Sequence, residues 1–138
     1  MFKKAMITLA LTLASATVAL AANYIEPEEL KVILDKKQPV ILVDIQPAAD
    51  FEKQHLAGSI ETNAFPAKKD EEKARLDKAL PVINASKTKV VVVCPRGKSG
   101  AKNSYEYLVS KGVSEDRMAI LEGGIYEWPY KELFVKGR

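Results

Sequence analysis

"VVVVCPRGKSGAK", Val90 to Lys102, decides the fold. Four consecutive valines run into Cys94, the only cysteine of 138 residues, and a short basic loop follows before a helical pattern begins. An unbroken β-branched run reads as a strand covered on both faces, as in a parallel sheet. Two further runs have the same character. Val40-Ile41-Leu42-Val43 ends at Asp44, and Met118-Ala119-Ile120-Leu121 ends at Glu122-Gly123-Gly124. Amphipathic segments lie between them. Pro27 to Lys36 places Pro in the first turn and Leu30, Ile33 and Leu34 on one face. Asp70 to Leu80 starts with acids, which suit a helix N-terminus, and groups Leu76, Ala79 and Leu80. Gly100 to Lys111 aligns Ala101, Tyr105 and Leu108, with Gly112 as the stop. The alternation predicts one α/β domain with a mainly parallel central sheet and helices on both faces. No repeat, low-complexity tract or internal linker interrupts it.

In such sheets, sites form where strands end and loops turn into helices, and Cys94 holds that position. Residues 95–100 can curl so that their backbone N–H groups, Pro95 having none, form an anion-binding nest ahead of the helix, with Gly97 and Gly100 allowing the unusual backbone angles. A thiolate would be favoured there, making Cys94 the candidate nucleophile. Arg96 and Lys98 add two cations beside it. The competing reading, a buried structural thiol, calls for apolar neighbours on both sides, and the Pro/Gly/Lys/Ser loop does not supply them. The single histidine, His55, reads as structural, in the turn between a helix and a short strand at Ser59-Ile60. One Cys and one His without ligand spacing give no metal site, and no cofactor is expected.

The N-terminus carries Lys3 and Lys4, an apolar stretch from Ala5 to Leu20, and the A-x-A pattern Ala19-Leu20-Ala21. Residues 1–21 therefore read as a signal peptide cleaved after Ala21, with an uncleaved anchor as the alternative. A periplasmic or secreted domain over 22–138 is expected. Cleavage leaves 117 of the 138 residues, and loss of Lys3 and Lys4 takes the formal charge from +3 to +1. A nearly neutral domain of that size carries a full core, is compatible with a monomer, and offers no electrostatic footprint for nucleic acid. No second apolar run follows, so the mature domain is not expected to be membrane-embedded.

Taken together, these stretches resemble the rhodanese family of sulfurtransferases, over essentially all of 24–130. "ILVDIQPAADFEKQHLAGSIETNAFP" is similar to the family's strand, its Asp-Val-Arg-type motif and its His-Ile-Pro-Gly-Ala turn. "VVVVCPRGKSGAKNSYEYLVSKG" resembles the active-site strand, the six-residue loop Cys94 to Ser99 and the helix behind it; "MAILEGGIYEW" resembles the last strand, the Gly-Gly turn and a C-terminal Trp. Three positions depart from the pattern. Gln46 replaces the Arg of the first motif, which implies a changed hydrogen-bond network more than lost activity. Ala57 replaces a proline in the turn and should loosen it slightly. Ser99 stands where many members carry Arg, which bears on donor preference more than on fold.

The resemblance implies a rhodanese-like domain catalysing a double displacement. Cys94 takes the outer sulfur of a thiosulfate-like donor as a persulfide and passes it to a thiol or cyanide. Pro95, Arg96, Gly97, Lys98, Ser99 and Gly100 would bind the substrate, the amides holding the persulfide charge and the two cations attracting the anionic donor. A non-catalytic sulfur carrier or redox-sensing module using the same exposed thiol is the alternative. Phosphatase or arsenate-reductase chemistry on related folds uses Cys-x5-Arg to grip a tetrahedral oxyanion, and here Gly100 stands at that position. Thiol–disulfide exchange normally needs a resolving cysteine, and Gly97 stands where Cys-x-x-Cys would have it.

Overall fold

The four valines of strand β5 (Val90–Val93) are fully buried, flanked in register by β2 (Ile41–Asp44) and β6 (Met118–Leu121). In this computed structural model, which describes residues 21–138, two short strands complete a five-stranded parallel sheet, β1 (Tyr24–Ile25) beside β6 and β4 (Ile60–Glu61) beside β2. The order is β1-β6-β5-β2-β4. The expected leader lies outside the described residues except for Ala21. Among the described residues, no helix is long and apolar enough to cross a membrane.

Alternation along β5 divides the core into two layers. Val90, Val92 and then Cys94 face one layer, with Leu76, Ala79, Ile83, Ala101, Tyr105 and Leu108. Val91 and Val93 face the other, with Leu30, Leu121, Ile125 and Trp128. Each fully buried valine contributes about 1.5–3 kcal/mol, so both faces must be covered. Helix α1 (Pro27–Asp35) covers one, with Pro27 in its first turn. Helix α5 (Ser99–Ser110) covers the other together with the segment 70–84. A separate helix, α2 (Ala48–Lys53), buries Phe51.

Helix α5 ends as its sequence predicts. Gly112, at φ +97°, donates to the Val109 carbonyl, and Val113 N–H reaches back to Leu108 O at 3.1 Å. That is a Schellman closure, with Val113 and Leu108 in the same apolar layer. The helix expected over Asp70–Leu80 is different. It splits into α3 (Asp70–Ala74), a 3₁₀ turn over Arg75–Ala79, and α4 (Leu80–Asn84). Pro81 is the cause. It has no N–H for the Asp77 carbonyl and its ring would strike that carbonyl, so Leu80 N–H bonds Asp77 O instead and tightens the chain.

The predicted turn after α2 contains a strand of its own, β3 (His55–Leu56), paired antiparallel with β7 (Phe134–Val135). His55 is structural. Its ring stacks on Phe51 at 3.8 Å between centroids, and Nδ1–H donates to Phe51 O at 2.9 Å. The turn at Ala57 closes through Gly58, at φ +81°, with Ser59 N–H donating to Leu56 O at 3.2 Å.

Candidate active site

Cys94 leaves β5 on the α5 side of the sheet, at the floor of a pocket of about 460 Å³. The thiol is not exposed as expected. Its residue is 2% accessible, and its walls include core residues that follow from the 90-92-94 alternation. Gly97 N–H donates to the sulfur at 3.1 Å. Lys98, the N-cap residue of α5, makes no side-chain capping bond to the first-turn amides.

The loop is held from a distance in sequence. Ile125 N–H donates to Cys94 O at 3.0 Å and Tyr126 N–H to Pro95 O at 2.9 Å. The turn carrying those donors presses Gly124 against the loop so closely that a Cβ there would stand 2.2 Å from Cys94 O. Gly97 faces the same turn at φ +67°, where a Cβ would lie 2.7 Å from Leu121 O. Two glycines from separate segments thus make one backbone-to-backbone junction.

Five of the six expected binding residues, Pro95, Arg96, Lys98, Ser99 and Gly100, line the pocket with Cys94. Gly97 does not. Its amide meets the sulfur while its α-carbon packs on the Gly123–Gly124 turn. Gly100 is buried under Phe65, where a Cβ would meet the ring at 2.9 Å. Arg96 is exposed, its guanidinium carbon 5.0 Å from the centroid of the Tyr126 ring.

Four lining residues come from outside the loop: Pro47, Asp50, Phe65 and Tyr126. Phe65 is carried there by its N–H, which donates to Ile45 O at 2.9 Å past the end of β2. No sequence pattern marks Pro47, Asp50 or Phe65, whereas the bulk of Tyr126, two residues after the Gly-Gly turn, was a usable signal.

Gln46 organises the neighbouring strand end. Its backbone N–H and side-chain Nε2 donate to the two oxygens of buried Asp44 at 2.8 and 2.9 Å, and Nε2 also reaches Gln54 O at 3.1 Å. Burial nevertheless pushes the Asp44 carboxyl up from 3.8 to about 6, against the pull of the Gln46 donors and of His55. A neutral amide here satisfies the oxygens without supplying a countercharge. Among the described residues, no group of three or more His, Cys, Asp or Glu is placed to hold a metal ion.

Among curated proteins no sequence matches the chain. Solved structures share the architecture. A rhodanese-like domain protein from Staphylococcus aureus is 23% identical with a TM-score of 0.59, covering 84% of this chain and 99% of its own. An As-Sb reductase from Leishmania major is 20% identical with a TM-score of 0.62, over 83% and 86% of the two chains. A thiosulfate sulfurtransferase from Pseudomonas aeruginosa is 16% identical with a TM-score of 0.61, over 85% of this chain but only 21% of that longer one. At such identities the likeness concerns the fold. The model of the rhodanese-like domain matches residues 26–131, the span holding every strand of the parallel sheet but β1 together with the whole Cys94 pocket, and the chain belongs to that family.

Proposed function

We propose that the domain is a sulfurtransferase, moving a sulfane sulfur from a small anionic donor of the thiosulfate type to a thiol or cyanide through a persulfide on Cys94. The observation that carries this reading is the thiol at a pocket floor, facing the Gly97 amide, with Arg96 and Lys98 in the same lining. In the first step the Cys94 thiolate attacks the outer sulfur of thiosulfate. The new S–S bond forms as the donor's S–S bond breaks, and sulfite leaves with the electron pair. The charge before and after is the same, a thiolate and a dianion becoming a persulfide anion and sulfite. The two cations favour the dianion, and the amides stabilise the persulfide where its charge sits. In the second step the acceptor takes the outer sulfur and Cys94 departs as thiolate.

The reductase-like alternative raised by the fold has an obstacle in the pocket itself. The oxyanion-gripping arginine would have to replace Gly100, and Phe65 leaves no space there even for a Cβ. The leader-like sequence of residues 1–21 supports action outside the cytoplasm.

Intact mass of the exported protein tests the whole reading. Expected are a chain beginning at Ala22, a gain of one sulfur atom with thiosulfate, its loss with cyanide, and no gain in Cys94→Ser. A chain that still carries residues 1–21 would overturn cleavage in favour of the uncleaved anchor, and no gain of sulfur would overturn the donor. Sulfur gained by Cys94→Ser would overturn the nucleophile.

A further inference from the structure

The pocket is larger and more apolar than an inorganic donor requires. A water molecule's share of liquid volume is about 30 Å³, so 460 Å³ far exceeds the needs of the five heavy atoms of thiosulfate. Its upper walls are carbon: Phe65, Tyr126, Pro47 and Pro95. Both rings are left to solvent, Phe65 at 38% and Tyr126 at 71% exposure, although the chain has buried most of its other large apolar side chains. Each has a neighbour that holds it at the pocket. Gly100 sits directly against Phe65, and the Tyr126 backbone is bonded to Pro95 while Arg96 lies over its ring. Aromatic walls over a reactive atom, with a few convergent polar groups, are the usual make-up of a site for an organic ligand.

Charge in the lining is uneven. Arg96 and Lys98 belong to the loop, whereas Asp50, the one acidic lining residue among the described residues, belongs to α2. An anionic group is favoured at the loop cations and disfavoured beside α2.

Resting on the sulfur-transfer reading above, we propose that the acceptor of this site is a thiol acid, with an apolar body of several carbons lying between Phe65 and Tyr126 and a carboxylate engaged by Arg96 and Lys98. Its thiolate attacks the outer sulfur of the Cys94 persulfide. The bond from that sulfur to Cys94 Sγ breaks, the acceptor leaves as a persulfide anion, and Cys94 is released as thiolate. Two anions enter and two emerge, so no oxidant or reductant is required.

The test compares kcat/KM per thiolate for three acceptors with thiosulfate as donor: 6-mercaptohexanoate, the same body with a neutral end (6-mercaptohexanol), and a short anion (3-mercaptopropionate). Full removal of a methylene from water is worth a factor of about four, so three half-covered methylenes give about eightfold. The long acid should exceed the short one by about that factor and the long alcohol by about twofold to fivefold. Phe65→Ala and Tyr126→Ala should each bring the long-to-short ratio towards one, Arg96→Ala should reduce the preference for the acid over the alcohol, and Arg96→Ala with Lys98→Ala should erase it. Equal rates for all three thiols would overturn the proposal, as would ratios that survive these substitutions. Cyanide separates the two levels of the argument. Turnover with cyanide but no discrimination among thiols refutes the acceptor class alone, whereas failure to take sulfur from thiosulfate refutes the transfer reading and this inference with it.

Discussion

Replacing Asp44 by Asn should change how stability depends on pH. The carboxyl is buried at the end of β2, accepts two hydrogen bonds from Gln46, and has no arginine beside it. Burial raises it from 3.8 to about 6. A carboxyl whose folded value is raised binds more protons folded than unfolded, so its contribution is fully present below about pH 4 and is lost as pH rises through 6. A shift of about two units corresponds to about 3 kcal/mol, each unit being 1.36 kcal/mol. His55 and Glu61 act on the same carboxyl in opposite senses, and both remain in the variant, so the comparison subtracts their own titration.

Urea unfolding in reductant at pH 4.5, 5.5, 6.5 and 7.5 reads the effect. Asn leaves one oxygen to accept from Gln46 and turns an NH₂ towards the other donor, a penalty that does not vary with pH. The difference between wild type and Asp44→Asn should therefore move in favour of the variant, by about 2 kcal/mol, between the lowest and highest pH, the rest of the contribution lying below pH 4.5. Gln46→Arg should give a change of the same sign, because a guanidinium beside Asp44 lowers its titration. Parallel profiles for wild type and Asp44→Asn would refute the reasoning, since the carboxyl would then titrate alike in the folded and unfolded chains.

The junction of the loop with the Gly-Gly turn predicts that Gly124→Ala and Gly97→Ala each lose about 2–4 kcal/mol in denaturant unfolding, because a Cβ would enter backbone at 2.2 and 2.7 Å respectively at positive φ. Where folding survives, persulfide loading by thiosulfate should fall more steeply than secondary structure does; normal loading in Gly124→Ala would contradict the role of that junction. The contact of Arg96 with Tyr126 should couple the two residues in donor binding. Tyr126→Ala should raise KM for thiosulfate about two- to fivefold with little change in kcat, as an exposed cation–π contact of about 0.5–1 kcal/mol implies. Tyr126→Phe should restore the value, and Tyr126→Ala should have no further effect once Arg96 is alanine. Additive effects on KM would show that the ring does not position the guanidinium.

The elements legible in the sequence share a physical reason. Continuous, non-alternating apolar runs call for cover on both faces, and Ile41–Asp44, Val90–Val93 and Met118–Leu121 are the three central strands. Leu30 and the stripe Ala101, Tyr105 and Leu108 lie on the faces their spacing indicates. Segments without such a pattern were not legible. The two-residue strands Tyr24–Ile25 and Phe134–Val135 exist because a neighbouring edge is there to pair with, which no local signal encodes. The break near Pro81 was readable in principle, since proline removes the very bond that the helix over 70–80 would have needed four residues earlier.

The site divides along the same line. Residues 94–100 are contiguous, so a strand, a loop and a helix place them together without knowledge of anything else. Phe65 and Tyr126 reach the pocket through hydrogen bonds to Ile45 and Pro95, segments twenty and thirty-one positions away in the chain. The burial of Cys94 follows from alternation once β5 is known to be covered by α5, and it recasts what the loop does. A thiol at 2% exposure reacts only with what the pocket admits. On the proposed sulfur-transfer reading, selection among donors and acceptors falls to the walls as much as to Cys94, and those walls are held by the Gly123–Tyr126 turn and the chain after β4. A change in either segment should therefore alter which molecules reach the sulfur before it alters the thiol itself.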